Sequence, residues 1–194
     1  HKINLLENNF KNGEKTIKHI GSSMSSINGN NAKYNHSLWE YYIKSSFNSV
    51  MGGNITNDFA DERQLKIAIQ SGARFIDLEI WKVNNSPVVA FGPYKLNDAA
   101  RLKGSYNHIP LSVVLSTINT HAFSSTAPTS NDPLFILFRM KTKDRTMYNI
   151  MADNLKRSGL LSRALSSKYK YNGKYSPQPS LVEEKLLNLK NKVI

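Results

Sequence analysis

Between Arg74 and Trp81, Ile76, Leu78 and Ile80 alternate with Phe75, Asp77, Glu79 and Trp81. Side chains alternate across a β-strand, so this period of two predicts a strand with aliphatics on one face and two acids pointing the same way on the other. Immediately upstream, Asp61 to Gln70 reads as a helix with Leu65, Ala68 and Ile69 inward and Gly72 as its stop. A helix leading directly into a strand is the repeating unit of an α/β fold, and the rest of the chain continues it. Val88 to Phe91 reads as a strand, Leu111 to Ala122 as a helix with Pro110 at its first turn, Leu134 to Phe138 as a strand and Met147 to Leu160 as a helix. Ser180 to Leu189 restores helical spacing before Val193 and Ile194 begin a further strand. The pattern is that of strand, loop and helix units around a parallel sheet.

The domain proper is expected over 38–194. Residues 1–37 are expected to form a polar, flexible arm or linker, because Ser22, Ser23, Ser25, Ser26, Asn28, Gly29, Asn30 and Asn31 supply few core formers. Within the arm, Leu5, Leu6, Phe10, Ile17 and Ile20 are spaced for a short amphipathic segment between Ile3 and Ile20. A chain of 194 residues that is 40% hydrophobic can bury one sizeable core. Opening on His1 rather than methionine reads as a processed product or part of something longer.

With 26 Lys and Arg against 14 Asp and Glu, the formal charge of +12 draws the chain toward anionic partners without choosing among them. Lys141, Lys143 and Arg145 form one basic run, and Lys168, Lys170 and Lys174, interleaved with Tyr169, Tyr171 and Tyr175, form another. The absence of cysteine excludes disulfides and thiolate metal sites. No apolar run approaches the roughly 20 residues of a membrane span. The histidines His1, His19, His36, His108 and His121 show no metal-ligand spacing.

The segment Tyr42-Ile-Lys-Ser-Ser-Phe47-Asn48-Ser49 resembles the opening motif of the phosphoinositide-specific phospholipase C X region, where an aromatic-led strand ends in Ser-Ser-His-Asn. Ala68 to Trp81 resembles that family's helix, Gly-Cys-Arg and acid-x-acid-x-Trp run. Pro87 to Gly92 resembles its Pro-apolar-apolar-x-His-Gly segment. Ile109 to Phe123, Pro133 to Leu137 and Leu189 to Ile194 resemble the following helix, strand and closing segment. The resemblance spans 38–194. It implies the N-terminal X half of a TIM-barrel-like (β/α) phosphodiesterase, whose remaining strands would come from a further segment or partner.

The family cleaves phosphoinositides with two histidines and a calcium ion held by Asn and carboxylates. The resemblance puts Phe47 and Phe91 at the histidine positions, and a benzyl ring neither accepts nor donates a proton. Asn48 matches the amide ligand, Asp77 and Glu79 match the acid pair with the two residue types exchanged, and the remaining acid maps to Met140 between Arg139 and Lys141. Calcium binding is therefore not expected, and neutralisation of Asp77 and Glu79 by Arg74, Arg139 or Lys141 is.

The reading is of a catalytically degenerate family member acting as a structural or interaction component among other proteins of an assembly. A minor capsid or virion protein is one such setting and the cytoplasm another, since abundant Asn, Lys, Ile and Ser suits an A·T-rich coding sequence such as that of some large DNA viruses. One alternative is a module that binds phosphoinositide or another anionic membrane lipid through Arg139, Lys141, Lys143 and Arg145 without cleaving it. The other is a calcium-dependent phosphodiesterase with relocated catalytic groups, for which Lys44, Ser46 and His36 are the near candidates. Specific nucleic-acid recognition is not expected, since charge alone supports it.

Overall fold

The computed structural model describes residues 2–20, 24–55, 57–92, 104–169 and 179–194. Its elements in chain order are α1 (Lys2–Ile20), β1 (Ser45–Ser46), α2 (Glu62–Gln70), β2 (Phe75–Val83), β3 (Ser86–Val89), β4 (Ile109–Pro110), α3 (Leu111–Ala122), β5 (Phe135–Met140) and α4 (Thr146–Ser158). Strand β2 is the centre of the sheet. β1 runs parallel to it, pairing Ser45 with Phe75 and Ser46 with Ile76, and β5 runs parallel on the other side, pairing Phe75 with Phe135 through to Ile80 with Met140. The C-terminal end of β2 turns back through Asn84 and Asn85, both at positive φ as a tight hairpin requires, into antiparallel β3, which pairs in turn with β4. Beyond β5, Val193 pairs in parallel with Leu134 and with Ala164.

The core lies between this sheet and its covering helices. Ile76, Leu78 and Ile80 are fully buried against Leu65 and Ile69 of α2, Val114, Leu115 and Ile118 of α3 and Met151 of α4. Asp61 starts α2 by accepting the Arg63 backbone N–H at 2.8 Å, and Gly72 ends that turn at φ +90. The arrangement is a partial TIM-barrel-like half, in which parallel strands carry helices outside and keep the other face of the sheet for the barrel interior.

Within the stretch read as a polar arm or linker, the amphipathic segment between Ile3 and Ile20 lies in a helix, and described residues on either side of 21–23 contact the domain. Helix α1 occupies Lys2–Ile20, and Arg63 of α2 ties to it by donating to Glu7 at 2.8 Å while lying over the Phe10 ring. Downstream, the Ile27 N–H donates to Asp132 Oδ1 at 2.8 Å and the Ile27 side chain joins a second core with Leu38, Leu186 and Leu189. The expected helix at Ser180 to Leu189 is two short 3₁₀ turns, Leu181–Glu183 and Leu186–Leu189. Glu184 and Lys185 between them are extended, because the Leu38 N–H donates to the Glu184 carbonyl and the Leu186 N–H to that of His36. Lys170, Tyr171, Lys174 and Tyr175 of the second basic run lie outside the described residues.

Candidate functional site

Alternation along β2 sends Asp77 and Glu79 to the face opposite the core, where both are nonetheless buried. Alternation along β5 does the same for Phe135, Leu137 and Arg139, since the register pairs Phe75 with Phe135, Asp77 with Leu137 and Glu79 with Arg139. The Phe75 and Phe135 rings stack at 6.2 Å. Two strands thus run aromatic side by side at one end and converge as acid and base at the other.

Arg139 is the hub. Its Nε donates to Asp77 Oδ2 at 2.8 Å and Oδ1 at 3.0 Å, its Nη2 to Asp77 Oδ1 at 2.7 Å and Asn48 Oδ1 at 2.6 Å, and its Nη1 to Glu79 Oε1 at 2.8 Å. Lys141 Nζ adds a longer contact to the same Glu79 oxygen at 3.8 Å. The hydrogen bonds to Asp77 above all, and the negative charge of both acids, hold the Arg139 guanidinium above its ordinary range despite the burial that opposes them. The guanidinium carbon lies 4.8 Å from the Phe47 ring centroid, so the aromatic closes its outer side.

Backbone geometry supplies the rest. Asn48 follows β1 in the left-handed region at φ 44, a conformation Asn adopts more readily than most residues. That turn sends the Asn48 N–H to Asp77 Oδ1 at 3.3 Å, while the Ser49 N–H donates to the Asp77 carbonyl at 3.0 Å and Asp77 N–H to Ser49 Oγ at 3.3 Å. Among the described residues, buried Asn48 Nδ2 and Glu79 Oε2 have no hydrogen-bond partner.

The expected site residues separate. Asn48, Asp77, Glu79, Arg139 and Lys141 come together with Phe47 at the rim. Phe91 is fully buried in the main core, with its N–H toward Ser105 Oγ at 3.4 Å. Met140 does not join the acids: it pairs with Ile80 and packs against the main core, because odd and even positions of β5 face opposite ways. The position beside the acids belongs to Arg139, one residue earlier. Arg74 is also elsewhere, donating to Thr129 Oγ1 at 2.8 Å and to the Thr129 carbonyl. Lys143 and Arg145 are exposed, and Asp144 between them pairs with Lys82 at 2.7 Å. Sequence reasoning gave Ser49 no role and named Arg139 both as an anion-binding candidate and, with Arg74 and Lys141, as a partner for the acids; Arg139 and Lys141 stand there and Arg74 does not. The signal for its place was the matching spacing of Phe75-x-Asp77-x-Glu79 and Phe135-x-Leu137-x-Arg139.

Among the described residues no group of three or more His, Cys, Asp and Glu could hold a metal ion. A calcium ion at this site would need six to eight oxygens. The oxygens gathered here, from Asn48, Asp77 and Glu79, already accept from a fixed guanidinium. The residues present do not fit the ion.

Residues 34–193 match the family model described as phosphatidylinositol-specific phospholipase C, X domain. Among solved structures, the PLC21 of L. pealei is similar at 17% identity and a TM-score of 0.65, over 84% of this chain and 19% of that chain. The PLC21 of S. officinalis is similar at 18% identity and a TM-score of 0.60, again over 84% of this chain and 19% of that one. This chain therefore spans about a fifth of the length of those structures, as their 19% coverage gives. No curated protein matches the sequence.

Proposed function

The chain belongs to the phosphatidylinositol-specific phospholipase C X-domain family, and from that premise we propose that it is a non-catalytic member serving as a structural or interaction component of a larger assembly. The observation that carries the reading is what stands at the two positions where the resemblance calls for proton-transferring histidines. Phe91 is sealed in the core, and Phe47 lies at the rim over Arg139. Each lost general acid or base costs about 10²- to 10⁴-fold in rate, and neither ring can serve as one. The nearby acid pair, Asp77 and Glu79, is committed to Arg139. Support for an interaction role comes from large apolar side chains standing out of the fold, among them Trp39, Tyr42 and Val182.

Hydrolysis of phosphatidylinositol and its bisphosphate, with calcium and with chelator, tests the reading beside a Phe47→His, Phe91→His double variant. No turnover by the native chain is expected. Calcium-dependent turnover by it would overturn the proposal. A second reading, attachment to an anionic lipid surface without cleavage, rests on the exposed Lys143 and Arg145 and the +12 charge. Salt-sensitive co-sedimentation with anionic vesicles, lost in a Lys143→Glu, Arg145→Glu variant, would favour it.

A further inference from the structure

We propose that the surface around Trp39 and Val182, at the end of the sheet where the parallel strands begin, is a self-complementary face on which a second copy of this chain docks about a two-fold axis. The inference rests on the reading of the chain as an interaction component and deepens it, by naming the surface and the partner.

Trp39 is 68% exposed and Val182 53%, and they lie on two turns packed against each other. Ser37 pairs antiparallel with Lys185, the Leu38 N–H donates to the Glu184 carbonyl at 2.9 Å and the Leu186 N–H to that of His36 at 3.0 Å. This pairing sets the turn Leu38–Glu40 beside the turn Leu181–Glu183. Both are fixed from beneath, since Leu38, Leu186 and Leu189 share the second core, and the Ser37 N–H donates to Glu40 Oε1 at 2.9 Å across the first turn. Tyr42, three positions beyond Trp39, is fully exposed as well. Single apolar residues scattered over a surface need no explanation, but here two stand on adjoining, pinned turns. A tryptophan held out into water by a turn already fixed gives up little freedom on contact, and such residues dominate binding at interfaces.

Charge selects the occupant. The chain carries 26 Lys and Arg against 14 Asp and Glu, so most approaches between two copies bring like charges together. Around Trp39 and Val182 that excess is gone. The exposed Lys and acidic residues on 33–42 and 181–185 are Lys33 and Lys185 against Glu40 and Glu183, while Glu184 is paired with Lys168 and His36 lies beside Glu40. An acidic partner finds no positive excess here to draw it, whereas a second copy meets no net repulsion. Glu183 and Lys185 stand two positions apart on one exposed stretch with opposite signs. A two-fold axis sets Glu183 of one copy against Lys185 of the other and the reverse, with Trp39 and Val182 of both copies between them.

Sedimentation velocity of the full chain from about 1 µM to about 200 µM, the span of weak association, tests the proposal. Monomer should give way to dimer with no larger species, because a two-fold face closes on itself. Trp39→Ala should weaken the dimer by about 30-fold or more while leaving the melting temperature of the chain in place, since the side chain is exposed. Glu183→Lys alone and Lys185→Glu alone set like charges across the axis, and each should weaken the dimer by on the order of tenfold. The double variant Glu183→Lys, Lys185→Glu exchanges the signs and should restore association. A chain that stays monomeric throughout would overturn the assignment and give the face to a different protein. A dimer indifferent to Trp39→Ala, or a charge exchange that restores nothing, would overturn it too. Lipid turnover by the native chain would overturn the non-catalytic reading while leaving these sedimentation profiles to judge the face.

Discussion

The Arg139 guanidinium carbon sits 4.8 Å from the centre of the Phe47 ring, which is itself 59% exposed. A cation over an aromatic in water contributes about 0.5–1 kcal/mol. Phe47→Ala should therefore lower stability by no more than that in urea unfolding. Phe91→Ala, at a residue with no exposed surface in the main core, should cost about 3–5 kcal/mol. Equal losses at the two positions would mean that one of these environments is misassigned.

The two inward arginines should differ in what replacement by methionine costs. Arg139→Met leaves Asp77 and Glu79 buried without their main partner, and should cost about 3–5 kcal/mol. Arg74 has Thr129 as its hydrogen-bond acceptor, a buried Nη1 with no partner among the described residues, and a guanidinium that burial pushes down to about 10. Asp132 and the Phe123 ring compensate this desolvated cation only in part, and an apolar replacement regains much of what it loses, so Arg74→Met should cost less than Arg139→Met, by about 1–2 kcal/mol or more. Parallel denaturation curves decide; a larger loss at Arg74 would refute the contrast.

Asp132 ties the stretch around Ile27 to the body, and burial raises its carboxyl above the ordinary 3.8, against the opposing pull of the Ile27 N–H and Arg74. A carboxyl raised by folding favours the proton in the folded state. Its contribution is fully present below about pH 4 and is lost as pH rises through the raised value. Asp132→Asn keeps an acceptor for Ile27 and never ionises, so this falling limb should flatten. Urea midpoints measured from about pH 3 to about pH 7 for both proteins check it, and identical slopes would exclude Asp132 as the source.

Gly104 is required by contact rather than by dihedral angle. A Cβ there would overlap the Phe91 carbonyl oxygen and Gly92 Cα, backbone atoms that cannot swing aside. Gly104→Ala should cost about 3 kcal/mol or more, whereas Gly29→Ala, with nothing within 4 Å of its new methyl, should stay within about 0.5 kcal/mol of the native chain. Comparable melting temperatures for the two variants would contradict the packing described around Phe91.

The sheet and its helices were legible because their signals are local. The period of two through Ile76, Leu78 and Ile80 and the helical spacing of Leu65 and Ile69 need no distant partner to read. The same alternation, carried across to β5, would have turned Arg139 inward and Met140 outward. Matching by motif alone slipped by one residue, and on a strand one residue is the opposite face. The holding of residues 24–37 was not legible, since Ile27 meets Asp132 some hundred positions away and the intervening Ser and Asn look solvated by composition. Leu181, Leu186, Leu187 and Leu189 fit an α-helix and a pair of 3₁₀ turns about equally well over so short a span.

An ion drawn from solution occupies a pocket in proportion to its concentration, and leaves when that concentration falls. The cation at this mouth is covalently part of β5, delivered by a strand whose register with β2 holds it beside Glu79. Its effective concentration is set by the fold and not by the surroundings. Chelation, dialysis or passage between calcium-poor and calcium-rich compartments leaves the guanidinium where it is, so the charge balance of the mouth is decided once, when the chain folds.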